Sequence, residues 1–598
     1  MLQPLSRRSY ILFEKKRSAK GRSETRRSET RPAEDIRTPP SGPWGGWRRW
    51  RYGVLSLATV GLSLLATPSP AAERLIITYG VLERTISIQD IETFAATGQL
   101  TPQLRAYNRH LQFSQAQLDQ VQRVLTTPVE RITPVGIAQF LYTQQGERLL
   151  RELTRVVRTP ARVGDFSALR AALILGAVNA EAGITLLDVL RAYPLEAIRI
   201  DLSAGFAVAE EINRAIVQSS QAVALVQNLA QQEAEATPLT PAEVSDLLRL
   251  LQESRSYGVQ SISRSLPGLD RPANLYLPQL RDGQTDPRAG FPLVMISHGL
   301  GSNRHSYTYL AQALASAGFA VVAIEHAGSN DEQLMALLEG RTAEVVPDAE
   351  FLRRPQEITQ AINALQNLQN GESPLPIRLD FSRIGTVGQS FGGYTALALA
   401  GATFDLETLA TECPPAVLTF NPSLLLQCQA TNLIDPRQQL QDRRINSIFI
   451  MNPVGSALFG PGGYHRITVP VMMVGSAVDT VAPAFPEQIQ PFTWLSTPER
   501  YLVLLDRGTH FSVIGDVPAE EQPLPIPPEI IGPRPDLAQA YMQVLALAYF
   551  QLTLNRDERF RPMVQAAFVQ AISHNDFPMH LSTTLSAEGL DAVLQPQP

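Results

Sequence analysis

One short segment constrains this chain more than any other. Gly388-Gln389-Ser390-Phe391-Gly392-Gly393 joins the strand-like run Ile384–Val387 to the helix-forming stretch Tyr394–Ala400. A Gly-x-Ser-x-Gly pattern is weak alone, but between a strand and a helix it describes a sharp, strained turn that lifts a serine above a parallel sheet. Gly388 and Gly392 leave room where bulkier side chains would meet the strand and helix. The segment predicts a nucleophilic serine, Ser390, and an α/β fold around it.

A serine hydroxyl is a poor nucleophile and needs a base, which in turn needs an orienting acid. In this topology both follow the serine, at the ends of later strands. Val469–Val474 leads into Asp479, and Tyr501–Leu505 leads into His510, so these two are the expected acid and base. Asp506 is a rival acid, read as shaping its loop or pairing with Arg507. His574 and His580 are rival bases, placed beyond the last expected strand. The tetrahedral intermediate needs preorganised N–H donors. Phe391, just after the serine, supplies one. The loop Ser297-His298-Gly299-Leu300-Gly301-Ser302, after the run Leu293–Ile296, supplies the other from Leu300. Gly299 lets that backbone turn inward, and His298 and His326 are read as loop-shaping.

The surrounding pattern supports a mostly parallel sheet. Tyr257–Ser263 and Ala273–Leu277 alternate like paired strands around Leu266-Pro267-Gly268. Short apolar runs at Leu293–Ile296, Phe319–Ile324, Ile384–Val387, Ile448–Ile450, Val469–Val474 and Tyr501–Leu505 alternate with helical stretches. That is the signature of βαβ units with both sheet faces covered. Helical segments near 537–554 and 560–573 close the chain. Residues 73–232 show helical periodicity, with an N-cap at Ser87 and a long segment from Ser203 to about Ala230. They are expected to form an all-α domain whose partner the sequence does not name, and 233–253 a linker with one short helix. Residues 254–598 then form the α/β domain.

Charge and composition exclude several functions. Residues 1–52 carry 14 Lys and Arg against 5 Asp and Glu, while residues 53–598 carry 37 against 52. An acidic body lacks the clustered cations of a nucleic-acid binder. The lysines are Lys15, Lys16 and Lys20, so a P-loop, a Schiff-base lysine and a Ser–Lys dyad are excluded beyond them. Residues 1–72 read as a basic extension followed by a signal peptide. The apolar run Gly53–Ala66 is too short for a span of about 20 residues, and Ser69-Pro70-Ala71-Ala72 offers a cleavage site before Glu73. Export to a periplasm, lumen or exterior is expected, with an uncleaved N-terminal anchor as the alternative. Cys413 and Cys428, with 14 residues between them, form a candidate disulfide suited to that compartment. No His or Cys spacing implies a metal, and no cofactor is implied.

Several of these motifs carry a resemblance. Ser297-His298-Gly299-Leu300-Gly301-Ser302, Leu314-Ala315-Ser316-Ala317-Gly318-Phe319, Glu325-His326 and Gly388–Gly393 resemble the plasma-type platelet-activating-factor acetylhydrolases over about 290–515. Those are α/β-hydrolase-fold, metal-independent lipases that cleave short or oxidised acyl chains from phospholipids. The resemblance implies Ser390 as nucleophile and Leu300 and Phe391 as oxyanion donors, with Gln389 standing where the family usually has His. Asp479 and His510 complete the triad by position. Arg353-Arg354-Pro355 and the helix after it are similar to dienelactone-hydrolase relatives, whose nucleophile is Cys. The stretch Gln139–Thr143 resembles the N-terminal domain of bacterial exported hydrolases of unknown function.

The expected protein is an exported serine hydrolase of small-molecule or lipid carboxylic esters, acting through an acyl-enzyme. A triad does not choose its leaving group, so a peptidase or amidase stays open, as does a non-catalytic envelope binding protein. The Pro-rich apolar stretch 518–533 reads as a lid or lipid-facing rim, allowing peripheral membrane contact, or as a packed connection to the next helix.

Overall fold

The computed structural model describes residues 72–595 apart from 130–132, 162–165, 181–182, 282–286, 288, 372–374, 415–420, 437 and 518–525. The basic extension, the apolar run with its expected cleavage site up to Ala71, and the first half of the Pro-rich stretch lie outside the described residues.

Two sheets organise the described residues. The first four strands are β1 (Arg74–Tyr79), β2 (Leu82–Ser87), β3 (Val157–Arg158) and β4 (Ala197–Asp201), in the order β2-β1-β4-β3. β1 and β4 run parallel, and β2 and β3 pair antiparallel at the edges. Helices Ile88–Thr97, Pro102–Leu111, Gln115–Thr126, Phe166–Val178 and Leu186–Arg191 accompany this sheet. Ser87 caps the first of them by accepting from the Asp90 N–H, as its sequence position predicts. The expectation of an all-α domain is therefore corrected: the N-terminal part is mixed α/β. Its strands are short and half-exposed, and β1 finds β4 more than 120 residues later. Neither feature leaves a period-2 signal in the sequence.

The boundary placed at residue 232 is corrected as well. One helix runs unbroken from Leu202 to Ala236 and packs its second half into the large domain, with Ala222 and Val226 fully buried. Near its end, the Glu233 carboxylate accepts from Ser582 Oγ (2.6 Å), the Thr583 N–H (3.0 Å) and Thr584 Oγ1 (2.7 Å). The expected linker is thus the end of this helix followed by a second one, Pro241–Ser254, opened by a Thr240/Glu243 capping box. Gln and Glu on the outer face gave the segment a linker-like composition, while small residues on the inner face permit close packing.

The second sheet has nine strands in the order β13-β12-β11-β10-β9-β7-β8-β6-β5. They are β5 (Gly258–Arg264), β6 (Ala273–Gln279), β7 (Phe291–Ser297), β8 (Ala320–Ala323), β9 (Leu379–Gln389), β10 (Ile445–Met451), β11 (Val471–Ser476), β12 (Arg500–Leu505) and β13 (Met579–Ser582). The central strands are parallel, and β5, β6 and β13 add antiparallel edges. β7, β10, β11 and β12 are buried along nearly their whole length because helices cover both faces. The helices Pro535–Thr553 and Ala566–Ile572 match the two C-terminal segments expected. β13 was not anticipated, since four residues among turns carry little pattern.

From β7 the chain crosses to β8 on one side and then returns to β9 on the other. The strand order therefore reverses between β7 and β9. In open α/β sheets ligands bind beyond the C-terminal ends of the strands at such a switch point. The loops leaving those two strands carry His298–Ser302 and Ser390.

Candidate active site

Ser390 stands between the end of β9 and the helix Phe391–Ala400 with φ 55° and ψ −118°. That backbone conformation costs a non-glycine residue of order 1–3 kcal/mol and persists only where the surroundings enforce it. Here they do. The Ser390 N–H donates to the Met451 carbonyl at 3.0 Å, and its own carbonyl accepts from the Tyr394 N–H at 3.1 Å. The flanking glycines are required by crowding. A Cβ on Gly388 would run into the Gly392 carbonyl, and one on Gly392 would run into the Ser297 carbonyl of β7. Helix, strand and serine can approach this closely only without those side chains.

The structure brings His510 and Asp479 together. His510 Nδ1 lies 2.7 Å from Asp479 Oδ2, and both residues are buried. Three further donors converge on the same carboxylate. Asn452 Nδ2 reaches Oδ2 at 2.8 Å, and the Val481 and Ala482 N–H groups reach Oδ1 at 2.8 and 2.7 Å. Asn452 follows β10 in a left-handed conformation, φ 44°, which Asn tolerates better than most residues. Gln389 Nε2 donates to the His510 carbonyl at 3.0 Å, so the residue beside the serine fixes the backbone of the histidine. With Nδ1 committed to Asp479, His510 Nε2 is the nitrogen left to face a reacting hydroxyl. Among the described residues neither that nitrogen nor Ser390 Oγ makes a hydrogen bond. Catalytic hydrogen bonds are commonly long before substrate binds.

The loop after β7 is held from behind. His298 Nε2 accepts from the His326 N–H at 3.0 Å, so its proton sits on Nδ1, which donates to the Gly299 carbonyl at 2.7 Å. The C=O and N–H of a trans peptide point in opposite directions. Fixing the Gly299 oxygen on the His298 side therefore aims the Leu300 N–H to the other. Gly299 itself lies against Gln389 and Ser390, where a Cβ would sit 3.3 Å from Ser390 Cβ. Neither the Leu300 nor the Phe391 N–H donates to another group among the described residues. Burial, aided by the nearby Arg354 charge, pushes the His298 imidazole down to about 3. It is neutral at pH 7, with both ring nitrogens bonded to backbone groups.

Arg354, fully buried in the helix Glu350–Gln369, anchors this loop. Its guanidinium donates to the His298 carbonyl, to Ser297 Oγ (3.2 Å), to Ser329 Oγ (2.7 Å) and to Thr395 Oγ1 (3.1 Å). It also lies 4.6 Å over the centre of the Phe391 ring. One cation thus touches both segments that carry the free N–H groups. Burial lowers its pKa to about 10, so it stays charged at neutral pH. Ser329 Oγ passes on a hydrogen bond to Glu350 Oε2 at 2.8 Å. His326 links Ser297 Oγ (2.8 Å) to Glu357 Oε2 (2.6 Å). Burial, with Glu350 nearby, pushes the Glu357 carboxyl up to about 8, and burial pushes His326 well below its ordinary value. Despite their ion-pair distance, these two are neutral partners near pH 7.

The rivals lie elsewhere. Asp506 accepts from Gln227 Nε2 at 2.8 Å and lies 3.1 Å from His580 Nε2. Burial opposes its charge, but those hydrogen bonds outweigh the burial and hold the carboxyl below its usual range. Asp506 thus shapes its surroundings through His580 and Gln227, with no hydrogen bond to Arg507. His580 is corrected from a position beyond the strands to one within β13. His574 bonds within its own turn, to the Asp576 N–H. Cys413 and Cys428 form a disulfide with Cα atoms 5.5 Å apart. Among the described residues no group of three or more His, Cys, Asp or Glu is arranged to hold a metal ion. Sequence reasoning missed Asn452 and the anchoring role of Arg354. Only the Arg353-Arg354-Pro355 motif drew attention to the latter, for a different reason.

Two family models match the chain. "Alpha/beta hydrolase of unknown function (DUF1400)" covers residues 71–201, the N-terminal mixed unit. "Platelet-activating factor acetylhydrolase, isoform II" covers residues 268–413, from β6 past the Ser390 turn. The chain has the α/β-hydrolase fold. Within that fold it is similar to platelet-activating factor acetylhydrolases of vertebrates. It is 29% identical to the dog protein over 157 residues, which is 21% of this chain and 34% of that one. It is 28% identical to the guinea pig protein over 135 residues, 18% and 31% of the two chains. With the chicken protein it shares 27% over 149 residues, 19% and 35%. The hydrolase-fold chain thus spans about a third of the length of the curated relatives it matches.

Proposed function

We propose that this protein is a serine esterase that removes a short or oxidised acyl group from a lipid ester. The reading is supported by the Ser390 turn, φ 55°, by the buried His510–Asp479 pair at 2.7 Å, and by the Gln389 side chain, next to the serine, bonded to the His510 carbonyl. Ser390 Oγ attacks the ester carbonyl carbon while His510 Nε2 takes its proton. Asp479, held by Asn452 and two backbone N–H groups, stabilises the imidazolium. The Leu300 and Phe391 N–H groups receive the oxyanion. His510 returns the proton to the departing alkoxide, and water then releases the acyl group by the same steps in reverse roles. Similarity to the acetylhydrolases supports a lipid ester as substrate.

The experiment is hydrolysis of p-nitrophenyl esters across acyl lengths by the purified protein beside Ser390→Ala. Activity that falls with chain length and vanishes in the variant is expected. Activity retained by Ser390→Ala, or none on any ester with no fluorophosphonate labelling of the wild type, would sink the proposal. Export is proposed with it, supported by the run Gly53–Ala66 and by a disulfide, which persists in oxidising compartments. A mature N-terminus at Glu73 is the expected result of sequencing the protein from its native compartment, and a mature chain that retains residues 53–66 would refute cleavage.

A further inference from the structure

The core of the N-terminal unit is not closed. Between its sheet and its helices lies a cavity of about 370 Å³. Its walls are apolar: Ile77 on β1 and Ile198 on β4, then Phe94, Leu104, Leu118 and Leu190 from four helices. Its three polar wall residues, Tyr107, Asn108 and Tyr193, are all engaged. Tyr107 donates its hydroxyl to the Thr85 carbonyl at 3.0 Å, and Asn108 Oδ1 accepts from the Phe113 N–H at 2.9 Å. A ligand here would find no free partner for a polar group deep inside.

The size argues that the space is used. An apolar cavity of about 150 Å³ stays dry and takes up one benzene, and this one is more than twice as large. Protein interiors otherwise pack as densely as organic crystals. Left empty, such a void would forfeit much of the stability available to a unit of this size. The volume falls within the ordinary range of small-molecule sites, about 300–1,000 Å³. The surface beside the cavity is apolar too. Phe113, Val121, Val124 and Leu186 line an adjoining depression and are 42–57% exposed. Large side chains of this kind cluster on a surface where something apolar passes or docks.

Charge supplies the remaining constraint. The two helices that form much of the wall, Pro102–Leu111 and Gln115–Thr126, carry Arg105, Arg109 and Arg123 against one acid, Asp119. None of these arginines has a carboxylate partner among the described residues. This local excess of cations stands out in a body that is acidic overall.

We propose that the N-terminal unit binds a free long-chain carboxylate, with the hydrocarbon tail in the cavity and the carboxylate at the arginine-bearing surface. The proposal rests on the cavity and not on the hydrolase reading, and its readout is binding. The test is calorimetric titration of the full chain with palmitate, beside Leu118→Trp and Ile77→Phe, which fill the space. Wild type is expected to bind one palmitate and to melt at a higher temperature with it. The filling variants should lose binding at least tenfold while keeping their fold and their rate on p-nitrophenyl acetate. 1-Hexadecanol, which has the tail without the charge, should bind more weakly than palmitate, and Arg109→Glu should erase that difference. Should a filling variant misfold, a diazirine-bearing sixteen-carbon carboxylate on wild type decides the matter, with labelling expected within residues 88–126. The proposal is overturned by no binding, by equal binding in folded filling variants, or by labelling confined to the Ser390 region. It is also overturned if palmitate binds only after residues 1–71 are removed, since the run Gly53–Ala66 would then be the occupant.

Discussion

Replacing Arg354 by Gln tests whether the loop proposed to bind the oxyanion is held by the buried cation behind it. The substitution removes donors from the His298 carbonyl, Ser297, Ser329 and Thr395, together with the charge over Phe391. Hydrogen bonds to a charged group are worth about 1.5–3 kcal/mol each, but they are not additive around one guanidinium. The better guide is the loss of about 3–5 kcal/mol when one partner of a buried ionic network is removed. Here Glu350, fully buried and reached through Ser329, would keep only the half-exposed Arg353, at 3.8 Å, as a compensating charge. That loss is a large share of a domain's typical stability of about 5–15 kcal/mol. The catalytic effect has a separate origin. Without its anchor the His298 carbonyl is released and the loop that carries the Leu300 N–H loosens, and misplacing one oxyanion donor lowers turnover about 10²–10³-fold. Steady-state kinetics on p-nitrophenyl acetate at 10 °C, where the variant remains folded, should show kcat falling with KM little changed. Urea titration measures the stability in parallel. Arg354→Met with Glu350→Leu removes the stranded charge, so it should recover much of the stability and none of the turnover. Arg354→Lys keeps the charge but lacks the planar fork and should fall between. A folded Arg354→Gln protein with kcat within twofold of wild type would refute the reasoning.

Three further perturbations follow from the same geometry. Gly392→Ala drives a Cβ into the Ser297 carbonyl, a backbone atom that cannot swing aside. Overpacking of this kind costs about 1–3 kcal/mol, and the variant should lose fluorophosphonate labelling; normal labelling would show that the β7 end can yield. Glu357 has a folded pKa near 8 against an ordinary value near 4.5, so its contribution to stability is present below about pH 4.5 and is lost as pH rises through 8. Glu357→Gln should therefore remove a decline of a few kcal/mol between pH 5 and 9, measured by urea unfolding, and parallel pH curves would disprove the shift. Opening the Cys413–Cys428 link frees a loop of 15 residues, for which chain entropy gives about 3 kcal/mol. The Cys413→Ser/Cys428→Ser protein should unfold at lower urea with its esterase rate intact, and an unchanged midpoint would show that the staple is idle.

The sequence alone placed every strand of the large sheet except β13, because buried parallel strands read as short apolar runs whatever they pair with. It placed the Ser390 turn because two flanking positions had to be glycine, and a local steric demand leaves a local mark. It pointed to Asp479 and His510 because this topology puts functional loops after strands. The tertiary structure decided the rest. In the N-terminal sheet β1 and β4 are joined by register between residues more than 120 apart, and strands only half-buried show no strong alternation. The long helix belongs to the large domain because Ala222 and Val226 meet a core and Glu233 meets the end of β13, contacts that no helical period announces. Arg354, Asn452 and Gln389 acquire their positions only when four segments converge on the loops beyond β7 and β9. A buried arginine reads in sequence like an exposed one, since its surroundings come from other parts of the chain.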